Sequence, residues 1–156
     1  MNEVRIRQAT DQDLVGLTAS SAALFAEDGA ARDHLRNPLW PQAYGPRWCA
    51  GLIAEPSSLA LVATGSDDVV GHLIGTCASA STMWTAPRAE IVSTFVSTPW
   101  RGQGLGSRLV AECVSWAKSR GALRAAVSAY ASNTDAVRFY RQHGFVPLSL
   151  DLALEL

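Results

Sequence analysis

Apolar and charged residues alternate from the start of the chain. Val4 and Ile6 are separated by Arg5 and Arg7, which predicts a first strand. Thr10-Asp11-Gln12-Asp13 then carries a helix-start pattern, with Thr10 at the N-cap and Asp13 in the first turn. Leu14, Leu17, Leu24 and Phe25 keep one apolar face along that helix. Gly29, Asn37-Pro38, Pro41 and Gly45-Pro46 punctuate the next stretch, so Asp28 to Pro46 is expected to be mostly loop. Pro46 suits the first position of a second helix over Arg47 to Glu55, which Glu55-Pro56 ends. Leu59 to Thr64 and Val69 to Ser81 are two strand-like runs. The Gly65-Ser66-Asp67-Asp68 turn joins them into a hairpin.

Glu90 to Ser97 predicts the next strand, and Pro99 helps to end it. Leu105, Leu109, Cys113 and Trp116 share one face of a helix from about Gly104 to Arg120, with Gly121 suited to a left-handed C-terminal turn. A strand over Leu123 to Ala129 and a short helix over Thr134 to Gln142, closed by Gly144, follow. Phe145 to Leu156 reads as a final strand or two, because Leu148, Leu150, Leu152 and Leu154 alternate with polar or small residues. The order is β-α-α-β-β-β-α-β-α-β, an α/β (α+β) arrangement with one sheet layered by helices, neither doubly wound nor a barrel. No repeat or linker divides it, so residues 1–156 are expected to form one domain. A chain of this length buries roughly 70% of its unfolded surface, so a sizeable core is available.

Composition narrows the function classes. The chain is 48% hydrophobic and 17% charged, with a net charge of −1. That is globular, and it lacks the basic surplus of a nucleic-acid surface. Cys49, Cys77 and Cys113 are three, far apart and outside any CxxC pair, so neither a disulfide framework nor a zinc site is indicated. There is no apolar signal core and no run near the roughly 20 apolar residues that span a bilayer. A cytoplasmic protein with no metal and no membrane partner is expected.

The densest chemical signal is Arg101-Gly102-Gln103-Gly104-Leu105-Gly106, between a β-branched run and a helix. Bare N–H groups at such a helix start form an anion site, with Arg101 adding fixed charge. It is not a Walker loop, since no Gly-Lys-Ser or Gly-Lys-Thr occurs, and its GxGxG spacing misses the dinucleotide fingerprint. A second motif follows one strand later: Asn133-x-x-Ala136-x-x-Phe139-Tyr140-x-x-x-Gly144-Phe145. Arg101-x-x-Gly104-x-Gly106 resembles the pyrophosphate loop of the GNAT superfamily of N-acetyltransferases, and the second motif resembles that superfamily's other signature. Together they span about Glu90 to Val146.

The resemblance implies a mixed, mostly antiparallel sheet flanked by about four helices, whose fourth and fifth strands splay to admit the pantetheine arm of acetyl-CoA. It implies acetyl transfer from that co-substrate to a primary amine of a small molecule or peptide, directly within a ternary complex. By similarity, the backbone of Thr94, Phe95 and Val96 pairs with the arm, and the amides of Gly102, Gln103, Gly104, Leu105, Gly106 and Ser107 receive the pyrophosphate. Glycine there lets phosphate approach the backbone. Arg101 either bonds the phosphates or fixes the loop. Asn133 matches the cofactor-contacting asparagine and equally suits a helix N-cap. Tyr140 matches the tyrosine near the cofactor sulfur, where a phenol can protonate a thiolate.

A base must take the amine proton. Glu90, six residues before Val96, has the offset of the glutamate in the histone-acetylating branch, with Arg88 as its alternative surface partner. The other family position for a base, on the fifth strand, is Ser128 here. Trp40, Tyr44 and Trp84 fall in segments that wall the acceptor side in this family and suggest apolar walls. Glu27, Asp28 and Asp33 are too few to favour a strongly cationic acceptor. His34, His72 and His143 are read as structural or solvated, and Cys113 and Cys77 as small hydrophobes. Two alternatives stay open: a non-catalytic acyl-CoA-binding sensor, and a transferase using a longer acyl-CoA. The alternating C-terminal segment also forms an edge that can pair two copies as a homodimer.

Overall fold

The computed structural model describes residues 3–156. Five strands form one sheet in the order β1 (Arg5–Gln8), β2 (Ser58–Gly65), β3 (Asp68–Ala78), β4 (Arg88–Val96) and β5 (Arg124–Val127). The first four are antiparallel neighbours, and β5 runs parallel to β4. The expected mixed, mostly antiparallel sheet is therefore present. Ser66 and Asp67 turn the β2–β3 hairpin with φ of +52° and +73°, the left-handed pair that a tight two-residue hairpin requires.

Helices cover both faces. On one side, α1 (Leu14–Leu24) and α3 (Trp40–Ala54) set Leu17 and Cys49 against Ala60, Val62 and Ile74. On the other, α4 (Leu105–Ser119) sets Leu109, Val110 and Cys113 against Leu59, Leu61, Leu73 and Ile91, with Phe139, Tyr140 and Phe145 joining from α5 (Thr134–Gln142) and its exit. The pleat sends alternate residues of each strand to opposite layers, so one chain direction feeds two cores. The first turn before α1 is locked by Asp13, which accepts from the Thr10 amide at 2.8 Å and takes both Nη atoms of Arg7 at 2.7 and 2.9 Å.

Two expectations need correction. The stretch from Asp28 to Pro46 is largely helical: α1 continues through a π-helical turn, Phe25–Gly29, into α2 (Ala30–Arg32), and α3 begins at Trp40 rather than at Arg47. Pro41 stands in the first turn of α3, where no N–H is needed, and Pro46 inside the helix already has helical φ. The second correction lies beyond α5, where residues 145–156 form no strand. Alternation favours an extended conformation, but a strand exists only when another edge supplies its hydrogen bonds.

His72 is a buried polar pin between α1, β3 and β4. Its Nδ1 lies 2.6 Å from Ser20 Oγ and its Nε2 lies 2.7 Å from Ser93 Oγ. It has no exposed surface, and burial lowers its pKa to about 4. The expectation of a structural histidine fits this environment. The unfolded chain takes up the His72 proton near pH 6.5 and the folded chain only near pH 4, so acid favours unfolding across that window. Stability is expected to fall by about 3 kcal/mol as the pH drops from 6.5 to 4. Asp13, which Arg7 holds down to about 2, adds a further loss below pH 4. Urea denaturation at a series of pH values checks this, and His72→Gln should flatten the upper limb. An unchanged slope in that variant contradicts the assignment.

Candidate active site

The site begins where β4 and β5 part. β4 pairs with β3 in one register up to Ile74↔Ser93 and in another from Gly75↔Ile91, which leaves Val92 as an extra residue, a β-bulge. The β4–β5 ladder covers only Arg88 to Ile91 against Arg124 to Val127. Beyond the bulge, Ser93 to Val96 keep β3 on one edge and face no strand on the other. The expected splay of the fourth and fifth strands is thus located at Val92. The Thr94 hydroxyl is buried there without a hydrogen-bond partner of good geometry.

At the end of β4 a single turn, Thr98–Trp100, leads into the glycine loop. Gly102 and Gly104 have φ of +73° and +78°, and a Cβ on either would meet nothing within 4 Å. Their glycine is required by backbone conformation, and the turn they make is open. Gly106 differs: a Cβ there would lie 3.2 Å from Cζ of Phe139, so this glycine lets α4 and α5 pack closely. α4 starts on Gly104 with no side-chain cap, which leaves its first N–H groups without intrahelical acceptors. The positive end of the helix macrodipole adds to that field.

Arg101 is engaged at every guanidinium nitrogen. Its Nε donates to the Val96 carbonyl at 2.7 Å, and Nη1 and Nη2 donate to the Glu27 carboxylate at 2.9 and 2.7 Å. These contacts hold the Arg101 side chain against the end of β4 and the π-helical turn. Glu27 lies in the π-helical turn, and the next residue, Asp28, accepts from Asn133 Nδ2 at 2.9 Å and from Arg32 Nε at 2.6 Å. Asn133 Oδ1 also accepts from the Ala136 amide at 3.1 Å and so caps α5. Glu27 therefore reaches the loop residue that follows the Thr98–Trp100 turn, and Asp28 reaches the residue before α5. Together they strap the π-helical turn across both lips of the parting. In the sequence these two acids stand out only as acceptor-side charge. Their sole local signal is a Glu-Asp pair at a helix irregularity, and π-helical turns cluster at functional sites.

Tyr140 sits half-buried on the α4 side of the sheet, edge-on to Phe139 at 5.1 Å and to Phe145 at 5.5 Å. Burial raises its pKa; the Thr94 hydroxyl opposes that shift, and negative charge at Asp28 adds to it. The phenol stays protonated at neutral pH. Burial also pushes the Cys113 thiol up to about 11, so it is neutral and a poor nucleophile. His143 ties the end of α5 to the first turn of α4, with Nδ1 2.8 Å from Phe139 O and Nε2 2.9 Å from Ser107 Oγ.

Glu90 is exposed on β4, two residues before the bulge and on the opposite face from Ala89 and Ile91. Arg88 does not pair with it; its guanidinium stacks on Trp84, 3.7 Å from the ring centroid. Trp40 is on α3 and packs against Phe25 at 6.1 Å and Trp48 at 5.8 Å, a cluster beneath the strap. Tyr44 and Trp84 remain exposed. A shallow hollow of about 420 Å³ lies beside α5, lined by Thr134, Val137, Arg138 and Arg141, and does not include the free β4 edge. Among the described residues no cluster of three His, Cys, Asp or Glu could hold a metal, and no helix is long and apolar enough to cross a membrane.

The parted strands lead into the glycine turn, and α5 carries Asn133 at its cap and Tyr140 along its length. The family model described as acetyltransferase (GNAT) matches residues 25–145, and the chain belongs to that family. No curated protein matches it. A transcriptional regulator from Bacillus halodurans C-125 has 28% identity and a TM-score of 0.78, over 99% of this chain and 100% of that one. The aminoglycoside N-acetyltransferase AAC(6')-Iy in complex with CoA has 14% identity and a TM-score of 0.81, over 100% of this chain and 96% of that one. A predicted acetyltransferase with acetyl-CoA from Clostridium acetobutylicum has 15% identity and a TM-score of 0.78, over 98% and 96%.

The different duties of the three glycines are separable by substitution. Gly106→Ala is expected to cost about 1–3 kcal/mol through overpacking against Phe139, and adding Phe139→Leu should restore part of it. Gly102→Ala and Gly104→Ala should each cost about 1 kcal/mol of backbone strain, with no rescue from Phe139→Leu. Denaturant midpoints read all three. Equal rescue in every case contradicts the division.

Proposed function

We propose that this protein is an N-acetyltransferase that moves an acetyl group from acetyl-CoA to a primary amine of a small molecule or peptide, by direct transfer in a ternary complex. The observation that carries this reading is the free edge of β4 after Val92, which leads straight into the open glycine turn and the uncapped start of α4. An extended arm with two amides fits the strand edge at Thr94, Phe95 and Val96. A pyrophosphate fits the amides from Gly102 to Ser107. Arg101 supports that cradle from behind, and Asn133 lies at the mouth of the parting. When bound, acetyl-CoA supplies the activated acetyl thioester.

Tyr140 holds a proton on its phenolic oxygen, and burial keeps it there at neutral pH. It donates that proton to the sulfur that leaves as the new amide forms. Glu90, free of Arg88, takes the proton that the amine loses, either directly or through water. With Cys113 buried and neutral, no thiol in the core of the site is ready to carry the acetyl group, which favours direct transfer. Tyr44 and Trp84, both exposed, are the aromatic surfaces offered to an acceptor, and Trp40 supports the strap from within. Glu27 and Asp28 are already matched by Arg101 and Arg32, which leaves little free negative charge for a polycation. Three free cysteines suit a reducing compartment such as the cytoplasm.

A second reading, a non-catalytic sensor of acyl-CoA, is favoured by the 28% identity to the Bacillus halodurans transcriptional regulator. Free-thiol release from acetyl-CoA over a panel of amino acids, peptides, aromatic amines and antibiotics separates the two. The enzyme releases coenzyme A with at least one amine, and the sensor binds acetyl-CoA and releases none. A longer acyl-CoA as the better donor would show in the same assay. Tyr140→Phe should lower kcat by about 100-fold or more, with acetyl-CoA affinity within about twofold. Glu90→Gln should remove the acidic limb of the kcat/KM profile against pH. Unchanged turnover in the first variant, or an unchanged profile in the second, sinks the corresponding role.

A further inference from the structure

The start of β4 carries a guanidinium that the chemistry described so far does not use. Arg88 opens the strand, two residues before Glu90. Residues two apart on a strand share a face, and their Cα atoms lie roughly 6–7 Å apart. Ala89 and Ile91 take the other face, and Ile91 belongs to the core under α4. Arg88 and Glu90 therefore look out on the side of the sheet that α1 and α3 cover further along. There Glu90 is exposed, and so is Arg124, the register partner of Arg88 on β5. Ala126, the register partner of Glu90, adds only a methyl group between them.

Arg88 is held in place without being neutralised. Its guanidinium stacks 3.7 Å from the Trp84 ring centroid, and its Nε is buried with no hydrogen-bond acceptor. Among the described residues neither Arg88 nor Arg124 has an ion-pair partner. A buried donor on a charged group is costly to leave unmatched. A guanidinium lying flat on an indole keeps its edge free, and that edge is a planar fork with the spacing of a carboxylate. The charges open on this face are thus two cations beside one anion. An acceptor that complements them carries an anionic group a few bonds from its amine.

Given the acetyl-transfer reading, on which this rests, we propose that the acceptor is an amino acid whose carboxylate binds Arg88 on its Trp84 platform while its amine reaches Glu90. Arg124 strengthens the field at the carboxylate end. The order along β4 suits the reaction: Trp84 and Arg88 lie farthest from the parting, Glu90 lies between, and Thr94 beside Tyr140 lies past the bulge. The bound amine is thereby aimed toward the thioester end of the cleft. Glu27 and Asp28, matched by Arg101 and Arg32, do not compete for the amine.

Matched acceptors test this: amino acids against their own carboxamides, read by free-thiol release from acetyl-CoA. At least one amino acid should exceed its amide by about tenfold or more in kcat/KM, with the difference in KM. In Arg88→Gln that ratio should fall to within about twofold. Arg88→Lys keeps the charge without the planar fork and should fall between the two, and it carries the test if the first variant misfolds. Amides used as well as the free acids overturn the proposal, and so does a preference that survives Arg88→Gln. Calorimetric titration of the same amino acids into the CoA-bound protein needs no turnover. Binding that Arg88→Gln weakens by about tenfold supports the carboxylate site even where no amine is acetylated, a result that counts against the acetyl-transfer reading alone. Amino acids that neither bind nor react, beside other amines that do react, overturn the site and leave acetyl transfer standing.

Discussion

Everything distinctive in this molecule depends on β4 having two partners for half its length and one for the rest. The parallel ladder with β5 stops at Ile91, one residue before the extra residue Val92 in the ladder with β3. The backbone of Ser93 to Val96 is left with donors and acceptors on one side that no strand satisfies. Protein interiors rarely tolerate such groups, so the edge must face solvent or a ligand. Thr94 lies on that same stretch, beside the Tyr140 hydroxyl.

An open parting weakens a sheet, and the strap across it offsets that weakness. Glu27 and Asp28 come from early in the chain, and Arg101 and Asn133 from late in it. Each ion pair or hydrogen bond there is modest, because the groups are half-exposed and surface pairs contribute about 0–1 kcal/mol. Their importance is positional. They join the π-helical turn to the glycine loop and to the start of α5, and they pair both acids with donors. The buried Ser20–His72–Ser93 chain acts nearby from within the sheet, tying α1 to β3 and β4 through a ring that burial keeps neutral.

The glycine loop shows how one composition serves several purposes. Gly102 and Gly104 make left-handed turns in open space, while Gly106 makes room for Phe139. The proposed pyrophosphate cradle therefore rests on more than glycine content: the loop follows the free β4 edge and precedes an uncapped helix start.

Strand alternation, helix faces and the two spaced motifs are local properties, and the sequence by itself determined them: the sheet-forming runs, α4 with its apolar face, Asn133 as a cap, and membership of a recognisable motif pair. Local pattern could not decide where β4 and β5 separate, because the end of a ladder depends on how far both strands run side by side and neither strand records it alone. Nor could it show that Arg101 would be taken by Glu27, 74 positions away, or that Arg88 would prefer Trp84 to Glu90. The helix hidden among Pro41, Gly45 and Pro46 needed the packing of Trp40 and Cys49 to outweigh poor propensity. The C-terminal leucines mark the same boundary most plainly. Their period-two pattern is written in the chain, but a strand requires an edge to pair with, and only the assembled sheet shows which edge is free.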